Sequence, residues 1–252
     1  MKALLRWLGL AVVAFLSLQL FFVARIAIMA VVDPQSTAFE RTEVWRVLTE
    51  KGHFHWRQQW VSYAQISDNL KRAVIASEDD GFINHDGVDW DALEKAWEKN
   101  TKAEAQTAKL LATLKPAKSP AKAAPVVRAP KIVGGSTITQ QLAKNLFLSG
   151  ERTLLRKGQE FVLTMLLEIL LTKERILEIY LNSVEWGDGV FGAEAAAQHY
   201  FRKPAARLSA YEAACLAVML PRPKYFEKLP NSSYIAGRAG VIAGRLVNAE
   251  LP

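Results

Sequence analysis

No residue between Trp7 and Ala24 is charged, and beyond Arg25 the apolar character resumes through Val32. Eighteen uncharged residues and seven more are long enough to cross the roughly 30 Å hydrocarbon core of a bilayer as one helix. A cleaved signal peptide is the competing reading, with an apolar region of about 7–15 residues before a small-residue cleavage site. This stretch is longer and shows no A-x-A before Asp33, so the sequence predicts an uncleaved anchor, with residues 1–33 forming the flank and span. Lys2 and Arg6 precede the span while Asp33 and Glu40 follow it, which predicts a cytoplasmic N-terminus and a domain, residues 34–252, on the far side. Arg25 lies late enough in the span to snorkel toward that far interface.

With 252 residues, half of them hydrophobic, the chain can bury one sizeable core, or one core with a small second lobe. The net charge of +7 is misleading, because the seven basic residues and one glutamate of segment 102–131 supply +6 of it. The rest is near neutral, which argues against a nucleic-acid surface. The basic segment favours anionic lipid headgroups instead. Cys215 is the only cysteine, so it forms no internal disulfide, and its helical setting in "LSAYEAACLAVML" reads as a small buried hydrophobe.

Past the anchor the order is a polar connector, a helical region at about 66–100, an insertion at about 101–131 and a long helical region to the end. In the insertion, "TKAEAQTAKLLATLK" reads as a frayed helix, whereas "PAKSPAKAAPVVRAP", with four prolines, reads as extended and mobile. After it, "TITQQLAKNLFL", "RKGQEFVLTMLLEILL" and "KERILEIYLN" have helical spacing, with Leu163, Leu166, Leu167 and Leu170 on one face. The best strand candidate is "WRQQWVSYAQI". The expected class is mainly α.

Three stretches carry chemistry. "ASEDDGFINHDGVDW" gathers Glu78, Asp79, Asp80, His85, Asp86 and Asp89. It reads either as a solvated acidic turn or as the wall of a cleft, where Glu78 follows the apolar "AVIAS". There Phe82 offers a contact that would lift a carboxyl toward the working range of a general base. A metal site built on His85 lacks a second histidine at ligand spacing. In "GGSTITQQLAKN", Ser136 or Thr137 can cap a helix whose first turn offers N–H groups and a positive dipole to an anion. Gln141, Lys144 and Asn145 share a face of that helix. In "RTLLRKGQE", Arg156, Lys157 and Glu160 form either a surface salt-bridge set or, with Lys144 and Arg152, a polyanion clamp. No P-loop pattern occurs, and "SPAK" at Ser119–Lys122 lacks the downstream context of an acyl-enzyme motif.

Taken together and in order, "EDDGFINHDG", "GGSTITQQLAKN", "RKGQE", "KERILEIYLN" and "WGDGVFGAEAAAQHYFRK" with "LSAYEAACLA" resemble the peptidoglycan glycosyltransferase family (glycosyltransferase family 51). The resemblance is strongest to its monofunctional, membrane-anchored members and covers about residues 66–220. It implies a lysozyme-like helical head with a smaller membrane-proximal jaw lobe, preceded by one transmembrane helix. It also implies an enzyme of the bacterial cytoplasmic (inner) membrane, with a periplasmic catalytic domain, that polymerises lipid II into β-1,4-linked glycan. The polymerisation inverts the anomeric centre and releases undecaprenyl diphosphate.

By position, Glu78 matches the base that deprotonates the acceptor hydroxyl, with Asp79, Phe82 and His85 supporting it. Lys144, Arg156 and Lys157 match cations around the donor diphosphate, while Ser136, Thr137, Gln141 and Asn145 match polar residues of the cleft. Glu160 matches a second carboxylate that assists the leaving group or holds a divalent ion such as Mg2+ or Mn2+; no organic cofactor is implied. Tyr180 and Asn182 match a block that shapes the cleft. The implied partners are the lipid II donor, the growing glycan acceptor, membrane lipids and other cell-wall synthesis proteins. The departure is the insertion, roughly 25 residues longer than the usual connection by this reading.

Two rival classes remain at this level. A lysozyme-like glycan hydrolase would also place carboxylates in a helical cleft, but it has no need of a cationic donor set. A membrane-anchored, non-catalytic scaffold would be expected to lack one of the motif carboxylates, and both Glu78 and Glu160 are present.

Overall fold

The computed structural model describes residues 2–50, 56–113, 135–148 and 153–252. The chain divides into two compact units, Met1–Val88 with Thr137–Pro252, and Asp89–Ser136. The described residues are mainly helical, as expected.

The larger unit begins with α1 (Lys2–Met29), a 28-residue helix long and apolar enough to cross a membrane. Most of its surface is exposed, but Phe22, Ile26 and Met29, spaced four and three apart, are buried. They join the core of the folded domain. Helix α2 (Ala38–Glu50) opens with a capping box in which Thr37 Oγ1 accepts from the Glu40 N–H and Glu40 Oε2 accepts from the Thr37 N–H. Glu40, one of the acidic residues that follow the span, is therefore a buried cap.

The core is built by α3 (Asp68–Glu78), α5 (Ile138–Phe147), α6 (Leu154–Leu170), α7 (Lys173–Ser183), α8 (Ala193–Phe201), α9 (Ala210–Met219) and α11 (Ser233–Arg245). Helix α3 packs on α9 and α11, and α5 packs on α6 and α7. Leu163 and Leu167 are buried on α6, with Leu166 and Leu170 at the edge of the same face. Helix α6 also lies beside α1, and Gln19 and Gln159 exchange side-chain amide hydrogen bonds at 3.2 and 3.3 Å.

The expected strand at "WRQQWVSYAQI" is largely a misreading. Only Arg57–Gln58 (β1) is extended and paired, and Tyr63–Gln65 is a 3-10 turn. The segment is anchored by Asn182, whose amide accepts from the Val61 N–H (3.0 Å) and donates to the Val61 carbonyl (2.9 Å). β1 runs parallel to β3 (Val190–Phe191), which pairs antiparallel with β2 (Glu185–Gly187). The short helix α10 (Pro223–Phe226) packs against β2. Cys215 is half-buried at the edge of the core, less enclosed than expected.

In the smaller unit, α4 (Trp90–Thr113) carries the helical reading well into the insertion, and Asp89 accepts from the Ala92 N–H at its start (2.8 Å). The Pro-rich half of the insertion lies outside the described residues.

Candidate active site

Helix α3 is amphipathic and ends at Glu78, so its last residue emerges from an apolar wall. Glu78 is partly buried and accepts one hydrogen bond from Gln141 Nε2 at 3.1 Å. The Gln141 amide is oriented by Tyr180, whose hydroxyl donates to Gln141 Oε1 at 2.9 Å. Burial together with the charges of Glu78 and Asp79 keeps the Tyr180 phenol protonated far above the usual tyrosine range, so it remains a donor. Burial pushes the Glu78 carboxyl above the ordinary glutamate range. The Asp79 charge adds to the rise, and Gln141, Ser77 and Lys144 oppose it.

Asp79 has a different role. It is buried, its Oδ1 lies 2.9 Å from His85 Nε2, and its Oδ2 accepts from the Ile138 N–H at 2.9 Å. The Gly87 N–H donates to His85 Nδ1 (3.1 Å), so the ring proton sits on Nε2, facing Asp79. Thr137 is the N-cap of α5 in a full capping box with Gln140, and its hydroxyl also donates to the Gly87 carbonyl at 2.6 Å. The N-terminus of α5 does meet an anion, but that anion is Asp79 of the protein itself. The expectation that this first turn is open to a ligand is therefore corrected. Ser136 is exposed and belongs to the smaller unit.

Phe82 is fully buried, with Lys173 Nζ 4.6 Å from its ring centroid. Lys173 also donates to the His85 carbonyl (2.6 Å) and pairs with Glu168, whose Oε1 accepts from the Thr139 hydroxyl at 2.6 Å. Gly87 has φ +85°, and a Cβ there would stand 2.7 Å from Thr164 Cγ2. These contacts pin loop 79–88 to α5, α6 and α7. Thr139 and Lys173 lie inside two of the motif blocks, but the sequence assigns them no role, and Glu168 lies outside the blocks. The available signal was Glu168 itself, a lone charge within "LTMLLEILL".

The other end of α5 faces a cleft of about 480 Å³ whose lining includes Gln141, Lys144, Asn145, Arg156 and Tyr180. Lys144 is exposed at the cleft wall, yet the mass of protein around it lowers its ammonium below the usual lysine range. Glu160 and Glu78 oppose that shift, while Arg156 and Lys157 reinforce it. Thr153 caps α6, so Arg156, Lys157 and Glu160 fall within one turn and a bit of each other. Glu160 is buried and pairs with Arg156 (3.2 Å) and with Lys157. The buried Arg156 Nε has no hydrogen-bond partner among the described residues. Three cations against one carboxylate leave this group with a surplus of two positive charges. Arg152 lies outside the described residues.

Both Glu160 oxygens are engaged by cations, and the described residues hold no group of three or more acidic, histidine or cysteine side chains arranged to bind a metal. The described donor set is thus a poor cage for a divalent ion.

The sequence model of the Transglycosylase family matches residues 46–109 and 119–247, interrupted inside the stretch read as an insertion. The biosynthetic peptidoglycan transglycosylase of Burkholderia thailandensis is 51% identical over 255 residues, covering 100% of this chain and 90% of that protein. Its counterpart in Paraburkholderia phytofirmans is 49% identical over 251 residues, covering 98% and 94%. That of Burkholderia orbicola is 51% identical over 239 residues, covering 95% and 87%. With two independent kinds of match spanning most of its length, the chain belongs to the transglycosylase family and is a glycosyltransferase of peptidoglycan biosynthesis.

Proposed function

We propose that this enzyme polymerises lipid II, with Glu78 as general base and the Lys144–Arg156–Lys157 group as the binding site for the donor diphosphate. The observation that carries the reading is the pairing of two unlike features along α5. At Gln141 it meets a carboxyl with a raised pKa and few bonds, and one turn further on, at Lys144, it meets a cation cluster with a buried donor unpaired.

In the step proposed, the acceptor's 4-hydroxyl attacks the donor's anomeric carbon from the face opposite the diphosphate. The new C–O bond forms as the bond to diphosphate oxygen breaks, which inverts the anomeric centre. The hydroxyl proton passes to the Glu78 carboxylate, and undecaprenyl diphosphate departs with the bonding pair. Negative charge grows on the leaving oxygen, and fixed cations beside it stabilise the transition state without reorganising. Arg156 Nε is a donor left unpaired by the described residues, which suits a phosphate oxygen. Glu160 holds Arg156 and Lys157 in place until the substrate arrives. No step is routed through Mg2+ or Mn2+.

The helix α1 is read as a single-pass anchor in the bacterial inner membrane, with the N-terminus cytoplasmic and the catalytic domain periplasmic. Lys2 and Arg6 on one side and Asp33 on the other support that direction. Leu154, Leu155 and Ile169 are strongly exposed on α6, the helix beside α1, and support contact with membrane lipid. The membrane is also where a polyprenyl-linked substrate is concentrated. Incubating the full-length chain in detergent with labelled lipid II tests the proposal. Glycan polymer is expected, and its absence, with the protein folded, contradicts it.

A further inference from the structure

Glu185 lines the same cleft but belongs to none of the groups described so far. It opens β2 within the buried run Val184–Gly187, and its side chain is only 6% exposed. Its Oε1 has no hydrogen-bond partner among the described residues. Lys224 Nζ forms a long ion pair with that oxygen at 3.4 Å, and the same ammonium is also held by Glu43. Glu43 in turn pairs with Arg46 at 2.8 Å. A buried carboxylate oxygen whose neighbouring cation is distant and shared is under-bonded, which is costly to a fold. Such a group on a cleft wall fits a ligand better than it fits the apoprotein.

The surroundings narrow the ligand's chemistry. A carboxylate repels a diphosphate, so Glu185 does not extend the cation group. Its neighbours on the cleft wall include Val184, Leu220 and Pro223, which are apolar. A sugar offers both complements, C–H faces for the apolar wall and O–H or amide N–H donors for the oxygen. The cleft's volume is within the range of sites that enclose small ligands.

We propose that Glu185 is a further substrate-binding residue, accepting a hydrogen bond from a hydroxyl or acetamido N–H of the amino-sugar chain. This rests on reading the cleft as the site of glycan polymerisation. Burial raises the Glu185 carboxyl to about 7; Lys224 opposes the rise, and Glu43 and Asp188 add to it. Tyr200 is a further titratable group within its field, and Lys144 and Arg156 line the same cleft. The ionised form is the better acceptor, so acid should weaken this contact.

The test uses full-length protein in detergent with lipid II, comparing wild type, Glu185→Gln and Glu185→Ala. The alanine variant is expected to raise KM by about tenfold or more, with kcat little changed. Wild-type KM should rise as pH falls through about 7, and that dependence should vanish in the glutamine variant. Stability separates binding from structure. A carboxyl raised in the folded state destabilises the fold above its folded value of about 7, and the penalty fades as pH falls toward the ordinary 4.5. Glu185→Gln should therefore unfold at or above the wild-type temperature at pH 8, with any gain shrinking by pH 5. An unchanged KM in the alanine variant overturns the proposal. So does a lowered unfolding temperature of the glutamine variant at pH 8, which would mark a structural role. If wild type makes no polymer, the parent reading fails first. Calorimetry with a short glycan fragment then decides Glu185 alone: weaker binding by the alanine variant supports it, while equal binding, or none to wild type, overturns it.

Discussion

Glu78 and Asp79 are consecutive carboxylates at the end of one helix, and their surroundings differ sharply. Asp79 has both oxygens engaged, by His85 and by the first N–H of α5, and it organises loop 79–88. Glu78 accepts one long-range side-chain bond among the described residues, from Gln141, and sits where burial disfavours its charge. A saturated carboxylate holds structure together. An under-bonded one, kept basic by its setting, is available to take a proton. The same contrast separates the two ends of α5, whose capped N-terminus is closed while Lys144, in its last turn, faces the cleft.

The largest effect that would sharpen this comparison is on rate. Glu78→Gln should lower lipid II polymerisation by about 10²–10⁴, the typical worth of a general base, without lowering the unfolding temperature. A loss of less than tenfold would break the division of labour between the two carboxylates. Lys144→Ala and Arg156→Ala should each cost about 10–100-fold in kcat/KM, as expected for charge-assisted bonds to the donor. Full activity in the double variant would reduce these residues to a surface charge set.

The Asp79 side should fail in stability. Asp79→Ala leaves His85 Nε2–H and the Ile138 N–H without their acceptor, at about 1–3 kcal/mol for each orphaned group. Thermal unfolding reads this directly, and an unchanged midpoint would contradict a structural role. Gly87→Ala should cost about 1–3 kcal/mol by the same assay, because a Cβ would overlap Thr164 and Glu168 in a backbone that favours glycine.

Much of this was legible in the sequence because helices announce themselves locally. The capped start of α5, the i, i+4 pairing of Arg156 with Glu160 and the apolar approach to Glu78 are all short-range patterns. Spacing alone could not show which anion the α5 N-terminus meets, since Asp79 and Ile138 lie 59 residues apart in the chain. Glu168 and Lys173 received no role from the sequence, because only packing joins them to Thr139 and the His85 carbonyl. Glu185 was hidden for a similar reason. The shortage of partners at its Oε1 among the described residues shows only once β2 and α10 have packed together. The strand reading of "WRQQWVSYAQI" failed because Asn182 and the 3-10 turn, not a ladder, satisfy most of that segment's backbone.

The most direct test of the central claim is the pH dependence of kcat at saturating lipid II, for wild type and Gln141→Leu. A base must be ionised to act, so activity should fall with decreasing pH as Glu78 takes up its proton. Because burial raises that carboxyl, the fall should begin above the ordinary glutamate value of 4.5. Gln141 bonds and so favours the charged form, so Gln141→Leu should move the acid limb to still higher pH. Thermal unfolding across the same pH range confirms that the protein remains folded. A kcat that stays flat down to pH 4.5, or an acid limb indifferent to Gln141, would contradict Glu78 as the base.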